Sequence, residues 1–214
     1  MKLRIDLEYA NNTPSLTDKE FEQLEINILS DGKVILPIII GQGKVVDSHN
    51  RYQTVMKQPE LQLSAYGNEF ADGFAVGAWT YKNQLGNKNL TPEQRRYLIG
   101  KQYDAEKASH GGNRGNQYTS LERSLEGNLP NPLKTCERIA QENGISSKTV
   151  IRSAAYAKAV DYADEVAPGF RNELFAGKIK ATAADVQEII RATPEYRSEI
   201  VRRLRSATEG RGRC

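Results

Sequence analysis

Apolar and polar positions divide the chain into a mixed front part and a helical back part. Residues 4–10 alternate apolar and polar side chains, which predicts a strand, and residues 15–32 carry apolar side chains at helical spacing. The apolar run 33–40 and the short run 44–47 predict two strands joined by a tight glycine turn. Pro37 inside the first run indicates an edge, a bulge or a break in that strand.

Two more helices and a short strand are predicted before residue 90. The first helix begins near Ser48, the stretch 61–66 forms a strand, and Asp72 caps the second helix. The inward-facing residues are predicted to be Tyr52, Val55 and Met56 in the first helix, and Phe74, Ala78, Tyr81 and Leu85 in the second.

The back part begins with the clearest helix of the chain. Thr91 at the N-cap, Pro92 at the first helical position and Gln94 together form a capping box. Residues 109–132 are rich in Gly, Asn and Ser, and so predict a linker or mobile loop. From Leu133 onward the apolar spacing is helical again.

The most specific local pattern lies near residues 135–157 and predicts a helix-turn-helix. Ala140 is followed four residues later by Gly144, and Val150 comes six residues after that glycine. The small alanine allows a close crossing, and the glycine ends the first helix in the left-handed conformation. An ordinary helical hairpin is the alternative.

The second helix of this pattern is predicted to meet DNA with its first turns. Ser146 or Ser147 caps the helix, and the side chains that follow face the major groove or its phosphates. The predicted DNA-binding residues are Ser146, Ser147, Lys148, Thr149 and Arg152.

Charge and composition narrow the class of protein. The 214 residues include 38% hydrophobic and 27% charged residues. Residues 1–80 hold 7 Lys/Arg against 11 Asp/Glu, a net charge of −4, whereas residues 81–214 hold 23 against 16, a net charge of +7. A polyanion is therefore expected at the back part.

Other classes of protein are disfavoured by the same sequence. It has no apolar run long enough for a membrane span and no signal-peptide core, so a cytoplasmic protein is expected. Cys136 and Cys214 have neither a metal-ligand spacing nor the numbers for a disulfide framework.

The C-terminal basic stretch leaves three alternatives open. It can add phosphate contacts, form a plain solvated helix face, or serve as an oligomerisation helix. The cations are Arg202, Arg203 and Arg205, and the apolar stripe is Ile200, Val201 and Leu204.

The order of these parts over residues 15–165 resembles the ParB partition-protein family, most closely the ParB-like proteins of plasmids, phages and other mobile elements. The resemblance rests on the strand run, the turn "VVDSHNRY", the segment "NQLGNKNLTPEQ" and the helix-turn-helix pattern. It implies an α+β fold, with a small mixed-sheet ParB/sulfiredoxin-like domain at 1–90 and an all-α DNA-binding domain at 91–214.

The family resemblance also implies a nucleotide. ParB proteins hold CTP, with Mg²⁺, at a helix start that carries a Gly-Glu-Arg-Arg run, so CTP or another nucleoside triphosphate is the expected cofactor. A second motif precedes the "LTP" helix start, where the acidic residue and the Arg of the family pattern are absent. The matching positions here are Ser48, His49, Asn50 and Arg51, of which only Arg51 agrees with the run, and Asn83, Gln84 and Lys88 of the second motif.

Catalysis is the alternative at the first of these segments. A nucleotide hydrolase or ParB-like nuclease could use Asp47 and His49 as metal ligand or general base, and His49 could instead orient the turn. The run has no cysteine, which argues against sulfiredoxin chemistry. An inhibitory interaction protein that keeps the fold is a further alternative.

The function expected from these observations is site-specific binding of double-stranded DNA in partition or transcriptional regulation. A homodimer is expected because helix-turn-helix proteins usually bind paired half-sites. The resemblance also implies a partition ATPase as a partner and a place on the nucleoid or plasmid in the cytoplasm.

Overall fold

The computed structural model describes residues 3–5, 16, 18–35, 37–41, 43–58, 61, 64–86, 89–109 and 133–209. The chain divides into two compact units, an N-terminal front unit of Met1–Gln84 and a C-terminal back unit of Leu85–Cys214. Each unit has its own set of packed elements and is described by itself.

The front unit is built on a four-stranded mixed sheet of described strands. The strands are β1 (Arg4–Ile5), β2 (Ile38–Gly41), β3 (Lys44–Asp47) and β4 (Ala65–Gly67). Their order is β1-β3-β2-β4, with β2 and β3 antiparallel and the two outer pairs parallel. The register between β2 and β3 shifts at Ile39/Ile40, which marks a bulge.

Three described helices accompany this sheet. They are α1 (Asp18–Asp31), α2 (His49–Lys57) and α3 (Gly73–Leu85). Gly32 ends α1 with a φ of 64°, and the Asp72 carboxylate accepts from the Ala75 amide at 2.7 Å, so both predicted helix boundaries are confirmed.

Small apolar clusters form the front core around the central strands. Ile38 and Val45 are fully buried beside Tyr52 and Leu3. The Tyr52 hydroxyl accepts from the Leu3 amide at 2.8 Å and donates to the Leu3 carbonyl at 3.1 Å, which ties β1 to helix α2. On the other side, Val46 packs with Val76 of α3.

One sequence prediction for the front unit is confirmed and two need correction. Strand β2 begins at Ile38, directly after Pro37, which agrees with the break that the sequence offered at this proline, since proline has no amide hydrogen to donate to a neighbouring strand. Met56 is 47% exposed and Phe74 is 56% exposed, so neither faces the core as predicted. The buried faces of α2 and α3 are therefore narrower than the helical spacing of their apolar residues predicted.

The back unit consists of helices throughout its described part. They are α4 (Pro92–Ser109), α5 (Thr135–Asn143), α6 (Ser147–Val166), α7 (Phe170–Phe175), α8 (Ala183–Arg191) and α9 (Pro194–Glu209). The predicted capping box is present, since the Thr91 amide donates to Gln94 Oε1 at 2.8 Å and the Gln94 amide donates to Thr91 Oγ1 at 3.2 Å. Apart from Ser109, the predicted loop 109–132 lies outside the described residues, as does Cys214.

Helix α6 is the centre of the back unit. Its middle and end pack against α4, α7, α8 and α9 in one apolar cluster. Fully buried members of this cluster include Tyr156, Ala157, Val160 and Phe170. The N-terminal part of α6 carries the predicted DNA-binding residues and lies next to helix α5. Because the rest of the same helix is packed in this cluster, the core fixes the position of that N-terminal part.

These elements confirm the predicted fold class, α+β, with a small mixed sheet in the N-terminal unit and helices in the C-terminal unit. No helix in the described part of the chain is long and apolar enough to cross a membrane.

Candidate nucleic-acid interface

A short turn joins helices α5 and α6. Gly144 takes the left-handed conformation with φ 65° that the sequence predicts, and the Ile145 amide donates to the Ala140 carbonyl at 3.0 Å. Ser146 is the N-cap of α6, because its Oγ accepts from the Thr149 amide at 3.1 Å. Of the two serines predicted as caps, the structure selects Ser146.

Buried contacts and one polar network hold this pair of helices. Ile139 and Val150 are completely buried, and Ala140 is 5% exposed. On the outer side of α5, the Arg138 guanidinium forms an ion pair with Glu106 of α4. The Glu106 carboxylate also accepts from Gln102 Nε2 at 2.9 Å. The Arg138–Glu106 ion pair therefore ties helix α5 to α4.

The predicted DNA-binding residues lie together at the start of α6. Lys148, Thr149 and Arg152 are exposed, and Ser147 is half-buried. Ser146 is exposed. Its hydroxyl forms the helix cap and also a hydrogen bond with Thr149 Oγ1, at an oxygen–oxygen distance of 2.8 Å. Within the described residues, no hydrogen bond or ion pair engages the side chains of Lys148 and Arg152.

Ile151 belongs to the same surface and was missed at the sequence level. Its side chain is 53% exposed, between the two cations at positions 148 and 152. Ile151 lies three residues after Lys148, and Arg152 lies four residues after it, so both are neighbours of Lys148 on the helix surface. The sequence did contain a sign of this surface, because helical spacing places this isoleucine on the solvent side of the helix.

The charge of this helix is one-sided. Residues 147–160 contain Lys148, Arg152 and Lys158 and have no acidic side chain. The first Asp of the helix, Asp161, is bound by Lys101 at 3.1 Å and Arg171 at 3.2 Å. The start of α6 thus combines the positive end of the helix dipole with uncompensated cations.

The C-terminal arginines have partners within their own unit. Arg203 pairs with Glu188 at 2.6 Å and Asp185 at 3.3 Å, and the hydrogen bond to Glu188 raises the pKa of Arg203. Arg205 pairs with Glu173 at 2.8 Å. Arg202 lies 3.8 Å from Glu199 and keeps 79% of its side chain exposed.

The apolar stripe of α9 is also used internally. Ile200 and Val201 are each 1% exposed and Leu204 is 7% exposed, all within the cluster around α6. The stripe that suggested an oligomerisation helix is part of this unit's own core. The solvated-face alternative describes Arg202 best.

The predicted phosphate site forms the turn between β3 and α2. Ser48 occupies the N-cap of α2 with φ 69° and ψ 37°, a left-handed conformation that non-glycine residues rarely adopt. Arg51 Nη1 donates to Ser48 Oγ at 2.8 Å, and Ser48 Oγ lies 3.5 Å from Asp47 Oδ2. Helix α2 therefore begins with a strained turn to which the Arg51 side chain is hydrogen-bonded.

In the rest of this turn, the His49 side chain binds the backbone, and the main chain of Asn50 binds a side chain. His49 is 8% exposed, and its Nε2 donates to the Val45 carbonyl at 3.0 Å. The Asn50 carbonyl accepts from Thr54 Oγ1 at 3.2 Å. The placement of His49 is that of a residue that orients the turn, which was the structural alternative to catalysis.

The described residues of the second predicted nucleotide motif form no hydrogen bond or ion pair with this turn. Asn83 is exposed, Gln84 is 3% exposed, and Lys88 lies outside the described residues. Gln84 Oε1 is buried without a hydrogen-bond partner among the described residues. No described side-chain hydrogen bond or ion pair joins either residue to the turn at Ser48. Among the residues that the structure describes, no three His, Cys, Asp or Glu side chains group as metal ligands.

Comparison with known proteins found few matches. No protein-family model matches the chain, and no curated protein matches it in sequence. Among solved structures, the chain is similar to one crystal form of a Pnob8-like ParB-N domain, with a TM-score of 0.48 and 13% sequence identity over 94% of each chain.

Proposed function

We propose that this chain is a ParB-like DNA-binding protein that binds double-stranded DNA through the start of helix α6. The observation that carries the proposal is the exposed pair Lys148 and Arg152, which has no partner within the described residues. Both cations stand on a helix whose first turn is capped by Ser146 and whose inner face is buried at Val150.

The physical argument concerns charge and shape together. Lys and Arg side chains at a helix start favour phosphate oxygens, and an α-helix fits the major groove of B-DNA. The left-handed Gly144 and the buried residues Ala140 and Val150 fix the angle at which α6 leaves the turn. Thr149 and Arg152 supply donors for base edges or phosphates.

The resemblance of the sequence to ParB proteins supports the wider role. We infer a homodimer that binds two half-sites, in partition of a plasmid or other mobile element or in regulation of its transcription. For the partition role, the family resemblance implies a partition ATPase as the partner.

A selection from random duplexes tests the proposal. The wild-type chain should enrich a defined sequence, and gel shifts should show binding of that duplex. Lys148→Ala with Arg152→Ala should abolish the shift, whereas the control pair Lys178→Ala and Lys180→Ala removes two exposed cations elsewhere in the same unit and should preserve it.

Failure to enrich any sequence, or equal loss with the control pair, would contradict specific DNA binding by α6. The same duplex, placed in a supercoiled plasmid with Mg²⁺ or Mn²⁺, should remain intact. Nicking of that plasmid would favour the nuclease alternative.

We further propose that the turn at Ser48 binds the phosphates of CTP or another nucleoside triphosphate with Mg²⁺. The supporting observation is the strained Ser48, with the Arg51 guanidinium 2.8 Å from its hydroxyl, at the start of a nine-residue helix. Backbone amides at a helix start favour an anion, and an arginine adds a fork of donors.

Titration of labelled nucleotides, with and without DNA, tests this second proposal. Arg51→Ala should weaken binding at least tenfold by removing a charge-assisted contact of about 1.5–3 kcal/mol. Lys57→Ala, which removes a cation from the opposite end of the same helix, should leave the affinity unchanged. Equal affinities for wild type and Arg51→Ala would contradict a site at this turn.

A further inference from the structure

Ile151 is an apolar side chain on a charged and otherwise polar surface. Its neighbours on the same face of α6 are Lys148, Arg152 and Ala155, at the spacing i, i+3, i+4 and i+7 of one helical stripe. The buried stripe of the helix, which contains Val150, lies on the opposite side. Ile151 therefore does not contribute its side chain to the core of the back unit.

The surroundings of Ile151 decide what can cover it. Two cations that have no partner within the described residues lie beside it, and residues 147–160 hold no acidic side chain. A purely apolar partner would have to desolvate both cations at considerable cost. A surface that suits this stripe must be strongly negative and must also present an apolar group beside its charges.

The major groove of DNA has this combination. Phosphates border the groove on both sides, and the 5-methyl group of thymine is the apolar group on its floor. We propose, building on the DNA-binding function proposed above, that Ile151 determines specificity by packing against a thymine methyl group. Lys148 and Arg152 bind the bordering backbone or adjacent base edges.

The proposal makes a prediction about single atoms of the DNA. Replacing the contacted thymine by deoxyuridine removes one methyl group and leaves base pairing intact. Burial of one such group contributes enough to change the dissociation constant by about fourfold. One thymine of the selected site should show this weakening with the wild-type chain.

The test compares thymine and deoxyuridine duplexes, substituted one position at a time, against three proteins. Wild type should bind the deoxyuridine duplex about fourfold more weakly at one position. Ile151→Ala should bind both duplexes equally at that position. Lys148→Ala should bind both more weakly and keep the fourfold ratio, because it removes a charge and not the methyl contact. Ile151 is half exposed, so its truncation leaves the core untouched.

Each other outcome overturns a different statement. Equal binding of both duplexes by wild type at every thymine, or the same discrimination by Ile151→Ala, would overturn the methyl contact while leaving DNA binding in place. A change of oligomeric state in Ile151→Ala without loss of discrimination would assign the side chain to a contact between copies instead. Failure of wild type to bind any duplex would defeat the underlying DNA-binding proposal.

Discussion

Gly100 of helix α4 lies directly against the backbone of Ser153 in helix α6. A β-carbon at Gly100 would stand 2.2 Å from the Ser153 carbonyl oxygen and 2.9 Å from the Ala154 amide nitrogen. Both distances are shorter than atoms can approach without moving. The two helices therefore cross with their backbones in contact, immediately behind the proposed DNA-binding turns of α6.

Substitution of Gly100 by alanine should destabilise the back unit. The methyl group would meet backbone atoms, which cannot swing aside as a side chain can, and such overpacking costs about 1–3 kcal/mol or more. This exceeds the gain in helix propensity, which is at most about 1 kcal/mol. Thermal or denaturant unfolding measures the effect.

Gly67→Ala provides the control for this prediction. Nothing lies within 4 Å of a β-carbon at Gly67, and its φ is not positive, so its substitution should change the free energy of unfolding little. A Gly100→Ala variant as stable as wild type would show that α4 and α6 can separate without cost.

The sequence predicts this fold best where local chemistry decides. The helix caps depend on residues only a few positions apart, and each lies where its residue type predicts it. Examples are Thr91 with Gln94, Asp72 and Gly144. The sequence predicts less well where distant parts decide. Whether Phe74 or Met56 is covered depends on which elements pack nearby, and helical spacing contains no such information.

The candidate surfaces show the same division. The exposure of Lys148 and Arg152 follows from the burial of Val150 on the opposite face of one helix, so a short pattern suffices. Arg205 and Arg203 are engaged by acidic residues up to 32 positions away, a pairing that no local pattern contains. The left-handed Ser48 could not be predicted either, since serine rarely adopts that conformation.

Ser48 makes a second prediction possible. Ser48→Gly and Ser48→Ala both remove the hydroxyl that Arg51 binds, so they differ mainly in backbone freedom. Glycine adopts a positive φ readily, whereas alanine is strained there by about 1–2 kcal/mol. The glycine variant should therefore be the more stable of the two by about 1 kcal/mol in denaturant unfolding. An alanine variant of equal stability would contradict the left-handed conformation of residue 48.

Asp185 should give stability that depends on pH. Burial raises its pKa, but hydrogen bonds from the Thr182 amide at 2.8 Å and hydroxyl at 2.6 Å, with the charge of Arg203, outweigh it and hold the pKa below the ordinary value of 3.8. A carboxylate with a lowered pKa in the folded state stabilises the protein above its unfolded pKa. That stabilisation disappears as the pH falls through the folded pKa.

The comparison of wild type with Asp185→Asn isolates this effect from other carboxyl groups. Asparagine lacks the charge, so wild type should be the more stable protein at neutral pH. The difference in free energy of unfolding should shrink as the pH falls from about 5 to about 2. A difference that stays constant over that range would mean that ionisation of Asp185 does not stabilise the start of helix α8.

The most direct test of the central claim is the salt dependence of DNA binding. Removal of one cation that binds a phosphate should make the plot of log affinity against log salt concentration shallower by about 0.9. For the duplex that wild type selects, the pair Lys148→Ala and Arg152→Ala should weaken binding and flatten the slope by about 1–2. Lys178→Ala with Lys180→Ala should change neither the affinity nor the slope. An unchanged affinity and slope in the first pair, with weaker binding in the second, would contradict the assignment of DNA binding to helix α6.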